Sequence, residues 1–221
     1  MNENGKELDS PVIGQFPELQ DPKYRLRETI ENNDWHNYDV VYVHSMNVYK
    51  SLLKDLELGF ISDEATKDRL NEQLSTKVGK ITRREILQIA ALFHDVGKPD
   101  TIVKNENGKD SCPNHDAKGA EITRQVLTQH DFDEKDIDRV CAIIAFHGLP
   151  HGTTDPNLSE ENRQKMRDAA KDPKRCPGQP DIFPELMLLG LADTQGSQLQ
   201  DNNPAEFASR VEKYYRLIAE S

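Results

Sequence analysis

The sequence is poor in cysteine. It has three cysteines among 221 residues, Cys112, Cys141 and Cys176, and no two of them form a CxxC pair. Zinc sites built on thiolates need closely spaced cysteines, so this pattern excludes a cysteine-based zinc knuckle. Sparse, unpaired thiols are also typical of a reducing compartment.

Long apolar runs, a leader-like start and an excess of positive charge are also missing. No apolar run approaches the roughly 20 residues that a membrane-spanning helix needs, and no basic-then-apolar segment opens the chain. We therefore expect a soluble, cytoplasmic protein without membrane contact. The net charge of −11 repels phosphate backbones and disfavours a protein that coats duplex nucleic acid. A small phosphorylated substrate is still compatible with this charge, because a metal centre can reverse the local field.

No segment of any length alternates apolar and polar residues as a strand does, so the predicted fold class is all-α. Apolar residues recur at helical spacing instead, and the pattern predicts helices over residues 24–32, 35–58, 62–75, 82–94, 115–129, 133–147, 159–171, 183–199 and 204–219. Thr82 and Glu85 form a capping-box pattern, and Asn107-Gly108 predicts a hairpin within the loop 100–114. Residues 1–34 are predicted as an irregular N-terminal arm. Residues 35–221 are predicted as one helical domain with an inserted loop and helix at 148–182.

Four residues that can bind metals lie on three separate predicted helices. His44 lies on the apolar face of its helix, His94-Asp95 closes a helix whose buried face it continues, and Asp193 follows apolar residues at i+3/i+4 spacing. Taken singly, such a histidine is more often a hydrogen-bonded core residue, and such an aspartate is more often a cap. Four buried polar groups without partners would be costly, however, and a shared cation removes the cost for all of them. The mixed nitrogen and oxygen set suits a divalent transition metal better than calcium.

Two further histidines lie at helix ends, where a cleft could open. His115 begins a predicted helix, and His147 ends one. The remaining histidines, His36, His130 and His151, have no such position and are predicted to be surface residues.

Six sequence blocks now point to a known family. They are FPEL at 16–19, WHNYDVVYVHS at 35–45, ALFHDVGKP at 91–99, HDAKGAE at 115–121, IIAFHG at 143–148 and LADTQGS at 191–197. In this order they resemble the HD superfamily of metal-dependent phosphohydrolases, and most of all the HD domain of bacterial CCA-adding tRNA nucleotidyltransferases and its stand-alone relatives. The resemblance implies an HD-domain helical bundle. The 221 residues contain no GGxxR-like strand and no catalytic DxD, so polymerisation is not expected. The insertion 148–182 has no counterpart in the resemblance.

The resemblance also implies roles for individual residues. His44, His94, Asp95 and Asp193 match the first metal site of the family, and His115 and His147 match the histidines of members that bind a second ion, with Asp95 bridging. The cofactor would be one or two divalent metal ions (Mn, Fe, Ni, Co, Zn or Mg). Lys98 matches a lysine thought to contact the substrate phosphate, and Asp95 and Asp193 are the candidates to hold the proton of a metal-activated water. The expected activity is hydrolysis of a nucleotide-like phosphomonoester or a linear or cyclic phosphodiester.

Two alternatives stay open on the ligands alone. The same six-ligand set occurs in HD-fold di-iron oxygenases, and an HD module can also serve binding or regulation without catalysis. The complete ligand set and Lys98 favour an enzyme over the latter.

Two further segments have two interpretations each. In the insertion, Lys171, Lys174 and Arg175 would contact substrate phosphates if the segment is a lid, whereas a solvated loop is the plainer interpretation. The apolar face of the C-terminal helix (Phe207, Val211, Tyr214, Tyr215 and Ile218) predicts either packing on the core or a homodimer.

Overall fold

The computed structural model describes residues 13–172, 174, 177 and 181–221. Most of these residues are helical, which confirms the all-α class. The helices are α1 (Val41–Asp55), α2 (Glu64–Ser75), α3 (Arg83–Phe93), α4 (Lys98–Thr101), α5 (His115–Gln129), α6 (Glu134–Ala145), α7 (Leu149–Thr154), α8 (Glu160–Ala170), α9 (Phe183–Gly196), α10 (Leu199–Asn202) and α11 (Pro204–Ala219). No described helix combines the length and apolarity needed to cross a bilayer.

Two short antiparallel sheets interrupt the helices. Strand β1 (Ile30–Glu31) pairs with β2 (Asp39–Val40), and β3 (Val103–Lys104) pairs with β4 (Asp110–Ser111). The second pair confirms the predicted hairpin, with Gly108 at φ +79° in its turn, a conformation that favours glycine.

Four predictions of helix bounds were wrong, each because an additional element forms. The expected helix at 24–32 is a 3-10 turn (Pro22–Tyr24) followed by extended β1. The helix predicted from residue 35 begins at Val41, because 39–40 pair with β1 instead. The predicted break after His147 contains the six-residue helix α7, and the helix predicted over 183–199 stops at Gly196.

Helix α9 lies at the centre of the core. It packs against α1, α3, α7 and α11, and nearly all of its residues are buried, which explains its continuous apolar sequence. Helix α3 packs against α1 and α6, and its N-terminus carries the predicted capping box of Thr82 and Glu85. The described part of the N-terminal arm also contributes to this core, with Phe16 packed edge-on against Phe93. Residues 1–12 of the arm lie outside the described residues.

A buried ion cluster aligns three of the core helices. Glu185, at the start of α9, accepts from Arg83 Nε and Nη2 at 2.7 and 2.6 Å, and from Arg139 Nε and Nη2 at 2.8 and 2.6 Å. Arg83 begins α3 and Arg139 lies within α6. Because α3 and α9 both begin at this cluster, their last turns meet at the other end of the core.

The C-terminal helix α11 packs on α9. Tyr214 and Ile218 are fully buried, and Tyr215 stacks on Phe60 with ring centroids 4.4 Å apart. This packing within the chain uses much of the predicted apolar face, while dimer formation stays a prediction.

Candidate metal centre

His94 and Asp95 directly follow the last turn of α3, and both are fully buried. Each of the two carboxylate oxygens of Asp95 faces a different set of histidines. This arrangement divides the six predicted ligands into two groups that share Asp95.

The first group comes from α1, the end of α3 and α9. His44 Nε2 lies 3.0 Å from Asp193 Oδ1 and 3.4 Å from Asp95 Oδ2. His94 Nε2 lies 3.2 Å from Asp95 Oδ2 and 3.9 Å from Asp193 Oδ1. One ligand atom from each of His44, His94 and Asp193 lies within 4.8 Å of the other two. The three atoms are therefore close enough to hold one ion.

The second group lies on the other oxygen of Asp95. His115 Nε2, from the first residue of α5, lies 3.4 Å from Asp95 Oδ1, and His147 Nε2 lies 3.9 Å from the same oxygen. The two Nε2 atoms are 3.1 Å apart. These three side chains form a second set of ligand atoms within 4.8 Å of one another.

Two glycines let the elements that carry these ligands approach closely. A Cβ on Gly97 would lie 2.2 Å from the carbonyl oxygen of His115, so the turn after His94-Asp95 can contact the start of α5 only with glycine there. A Cβ on Gly196 would lie 2.7 Å from the backbone nitrogen of Val48. The contact of Gly196 with Val48 brings the last turn of α9 against α1, next to His44 and Asp193.

Backbone carbonyls orient three of the histidine rings. The Nδ1 atoms of His94, His115 and His147 lie 2.9, 2.7 and 2.7 Å from the carbonyl oxygens of the residues three positions earlier. A carbonyl only accepts, so each Nδ1 carries a proton, and Nε2 is the nitrogen through which each ring could bind a metal once that atom is unprotonated. This is the arrangement that prepares a histidine to bind a metal through Nε2.

The first group also contains buried polar atoms that make no hydrogen bond. They are Nδ1 and Nε2 of His44 and Nε2 of His94; Oδ2 of Asp95 makes none either, although it is ion-paired with Lys98 Nζ at 2.9 Å. Buried polar atoms are almost always paired in proteins, since an unpaired one costs about 1–3 kcal/mol. Nitrogen and oxygen lone pairs directed at a common point fit a divalent cation, which would remove this cost.

The charges at the centre are strongly coupled. Burial lowers the pKa of His94, but the negative charge of Asp95 outweighs this effect and raises that pKa to about 9. Burial raises the pKa of Asp193, but the hydrogen bond with His151 and the adjacent ring of His44 hold it well below its usual value. The pKa of His147 is lowered to about 3 by burial and by the neighbouring charges of His94 and His115. Both the neutral His147 and the ionised aspartates are in the state that binds metals.

Lys98 is buried and lies between two carboxylates. Its Nζ is 2.6 Å from Glu31 Oε2 and 2.9 Å from Asp95 Oδ2. Burial lowers the pKa of Lys98, but the negative charges of Asp95 and Glu31 raise it above its usual value. The lysine therefore holds the Asp95 carboxylate in place, and it also borders the cleft above the centre.

Two histidines that the sequence pattern placed on the surface belong to the site. His151, on α7, lies with Nε2 2.9 Å from Asp193 Oδ2. His36 is buried, its ring packs edge-on against His44 at 4.5 Å, and its Nδ1 lies 3.4 Å from Asp39 Oδ2. The i+4 spacing of His151 from His147 is the sequence signal that could have placed His151 at the site. His130 is exposed as predicted and pairs with Glu18 at 2.9 Å.

The basic residues of the insertion lie elsewhere. Lys171 Nζ is 4.5 Å from the centroid of the Phe183 ring, in a cavity separate from the cleft. Lys174 is exposed, and Arg175 lies outside the described residues. The structure therefore does not bring Lys171 or Lys174 to the metal centre.

A cleft of about 430 Å³ opens above the two ligand groups, and it is bordered by Asp95, His115, His147, His151 and Asp193, among others. An adjoining cavity of about 530 Å³ has five lining residues in common with this cleft, namely Asn33, Asp34, Trp35, Asp155 and Arg210. The two form one continuous depression with Trp35 at the junction.

Comparison with known proteins gives a family match over a range that contains most of these candidate residues. A profile of the HD domain family matches residues 56–193. Five of the six ligand candidates lie in this range, with Asp193 as its last residue, and His44 precedes it. The A-adding tRNA nucleotidyltransferase of Deinococcus radiodurans is 30% identical over 123 residues, which cover 53% of this chain. The match spans about a quarter (25%) of the length of that relative.

Proposed function

This chain belongs to the HD domain family, and from that premise we propose that it is a metal-dependent phosphohydrolase that acts on a nucleotide-like phosphomonoester or phosphodiester. One observation carries the proposal. The two oxygens of Asp95 face two separate ligand groups, His44, His94 and Asp193 on one side and His115 and His147 on the other. A carboxylate between two ligand groups is the arrangement that two-metal hydrolytic sites use.

The chemistry divides between the ions and the side chains. When bound, divalent ions in such sites lower the pKa of a water molecule and neutralise charge on phosphoryl oxygens. Asp95 lies between both ligand groups and contacts each of them. Lys98 compensates part of the negative charge of Asp95. Asp193 and its partner His151 border the cleft and are placed to hold a proton on the solvent side of the centre.

The depression beyond the centre supports a substrate with a neutral polar body. The cavity that adjoins the cleft is rich in amide side chains (Asn33, Asn37, Asn157, Asn202 and Asn203). Its one cationic lining residue among those described, Arg210, is buried and paired with Glu206 at 2.7 Å. Phosphate charge is therefore best placed at the metal centre, while amides and the half-buried Trp35 suit a sugar or a base.

The test is a panel of phosphatase and phosphodiesterase substrates on metal-stripped protein, with each of Mn, Fe, Ni, Co, Zn and Mg added in turn. We expect metal-dependent phosphate release or diester cleavage by the native chain and at least a 100-fold loss in Asp95→Asn. Asp68→Asn, an exposed aspartate of α2, is the matched control and should retain full activity. Oxygen uptake without phosphate release would contradict the proposal and favour the di-iron oxygenase alternative. Full activity of Asp95→Asn would contradict it as well.

A further inference from the structure

A further cavity, separate from the metal cleft and from the amide-rich cavity that adjoins it, has charged lining residues that are mainly positive. It measures about 530 Å³, lies between α8 and α11, and is lined by five basic side chains, namely Arg163, Arg167, Lys171, Lys213 and Arg216. We refer to it as the basic cavity. The lining residues described include two acidic ones, Glu160 and Glu220. On a chain of net charge −11, this local excess of cations needs an explanation.

The carboxylates of the cavity do not neutralise it. Arg163 and Arg167 share the single carboxylate of Glu160, and their hydrogen bonds lower its pKa to about 2. Lys213 and Arg216 form no ion pair with a carboxylate of the described residues. Lys213 instead donates to the carbonyl oxygen of Thr154 at 3.1 Å.

The cations also act on one another. The pKa of Lys213 is lowered by burial first, and then by the positive charges of Arg163, Arg210 and Arg216. Repulsion of this kind is a cost in the free protein that a bound anion would remove. Arginine and lysine side chains directed into one cavity are the usual receptor for phosphate groups.

The cavity also has an apolar side. Phe183 and Leu217 are buried in the core, and the Lys171 ammonium lies over the Phe183 ring. The volume falls within the range of small-molecule sites, roughly 300–1,000 Å³. The chemistry of the walls and the size of the cavity together point to a compact ligand with several negative charges.

We propose that the basic cavity between α8 and α11 is a binding site for a small polyphosphate anion, distinct from the metal centre. The two sites lie on opposite sides of α7, whose Thr153 lines the basic cavity and whose His151 contacts Asp193. The site would take a ligand with two or more phosphate groups, such as a nucleoside polyphosphate. Binding of a ligand at this site would not require hydrolysis at the metal centre.

The test uses inorganic tripolyphosphate as the probe and isothermal titration calorimetry on metal-stripped protein, so that neither chelation nor the metal centre contributes. We expect one saturable site per chain, with binding that weakens as sodium chloride is raised. The double substitution Lys213→Ala/Arg216→Ala should weaken binding by at least about tenfold, because it removes two charge-assisted contacts. Arg167→Gln, on the opposite wall of the cavity, should also weaken the binding of tripolyphosphate.

Lys165→Ala is the matched control. Lys165 lies on α8 as well, but its side chain is 65% exposed, pairs with Glu161 and does not line the cavity. Thermal melts followed by circular dichroism check that every variant folds. Absence of saturable binding by the native chain would overturn the proposal, as would an equal loss of affinity in Lys165→Ala. Tighter binding of a single-stranded RNA, weakened by the same double substitution, would overturn the assignment to a small ligand.

Discussion

His151 Nε2 lies 2.9 Å from Asp193 Oδ2, while the other oxygen of the same carboxylate lies 3.0 Å from His44 Nε2. A residue of the insertion thus orients a carboxylate of the metal centre. The backbone of His151 is held in turn by Arg210, whose Nη1 donates to its carbonyl oxygen at 2.8 Å. The insertion is therefore part of the site through α7, although its basic residues Lys171 and Lys174 are not.

Replacing His151 by alanine should lower metal affinity. Hydrogen-bonding partners of metal ligands typically contribute about 10–100-fold in affinity, so we expect a loss of that size in His151→Ala, measured by competition with a fluorescent chelator. His130→Ala, an exposed histidine paired with Glu18, should bind metal as the native chain does. Equal affinity of His151→Ala and the native chain would show that the contact with Asp193 does not orient a ligand.

The two ligand groups should lose their ions separately. We expect the native chain, loaded and desalted, to hold two ions, and His115→Ala/His147→Ala to hold one, because His44, His94 and Asp193 are untouched. Inductively coupled plasma mass spectrometry against protein concentration gives the ratio. Loss of both ions, or of neither, in the double variant would contradict the division of the ligands at Asp95.

Lys98→Met should destabilise the metal-free protein. It leaves the buried carboxylates of Glu31 and Asp95 without their shared cation, and breaking a buried ion pair in this way costs about 3–5 kcal/mol in the free energy of unfolding. Urea unfolding measures the loss, and added divalent metal should recover part of it. The double variant Glu31→Gln/Lys98→Met also removes one of the two carboxylate charges left unpaired. It should therefore be less destabilised than Lys98→Met alone. A metal-free Lys98→Met as stable as the native chain would refute this account.

Asp55 should make stability depend on pH. Burial raises the pKa of this carboxyl from 3.8 to about 7 in the folded chain, so the folded state binds a proton more tightly than the unfolded state does. Its contribution to the free energy of unfolding is therefore fully present below about pH 4 and is lost as the pH rises to about 7. The stability of Asp55→Asn relative to the native chain should rise by up to about 4 kcal/mol between pH 4 and pH 8.

The measurement for Asp55 is urea unfolding at several pH values. Asp68→Asn, at an exposed position, is the control and should follow the native chain throughout. A constant difference between Asp55→Asn and the native chain from pH 4 to pH 8 would rule out the raised pKa.

Much of the fold followed from local patterns. The capping box at Thr82 and Glu85, the hairpin at Gly108 and the bounds of α5 and α11 were predictable, because caps, turn residues and apolar periodicity act over a few neighbouring residues. The start of α1 was predicted wrongly because a distant pairing decides it. Residues 39–40 are extended because they pair with β1, and no pattern within 35–58 reports that partner.

The sequence by itself singled out six candidate metal ligands. Helical spacing predicted the inward direction of His44, His94-Asp95 and Asp193, while His115 and His147 were candidates from their helix-end positions and the family resemblance. Only the tertiary structure decided how these ligands divide, since the two oxygens of Asp95 are distinguished by helices far apart in the chain. The tertiary structure also decided which groups His36, His151 and Lys98 contact, since their partners lie on other elements. A side chain's type and spacing fix what it can bind, whereas packing of distant helices fixes which groups it meets.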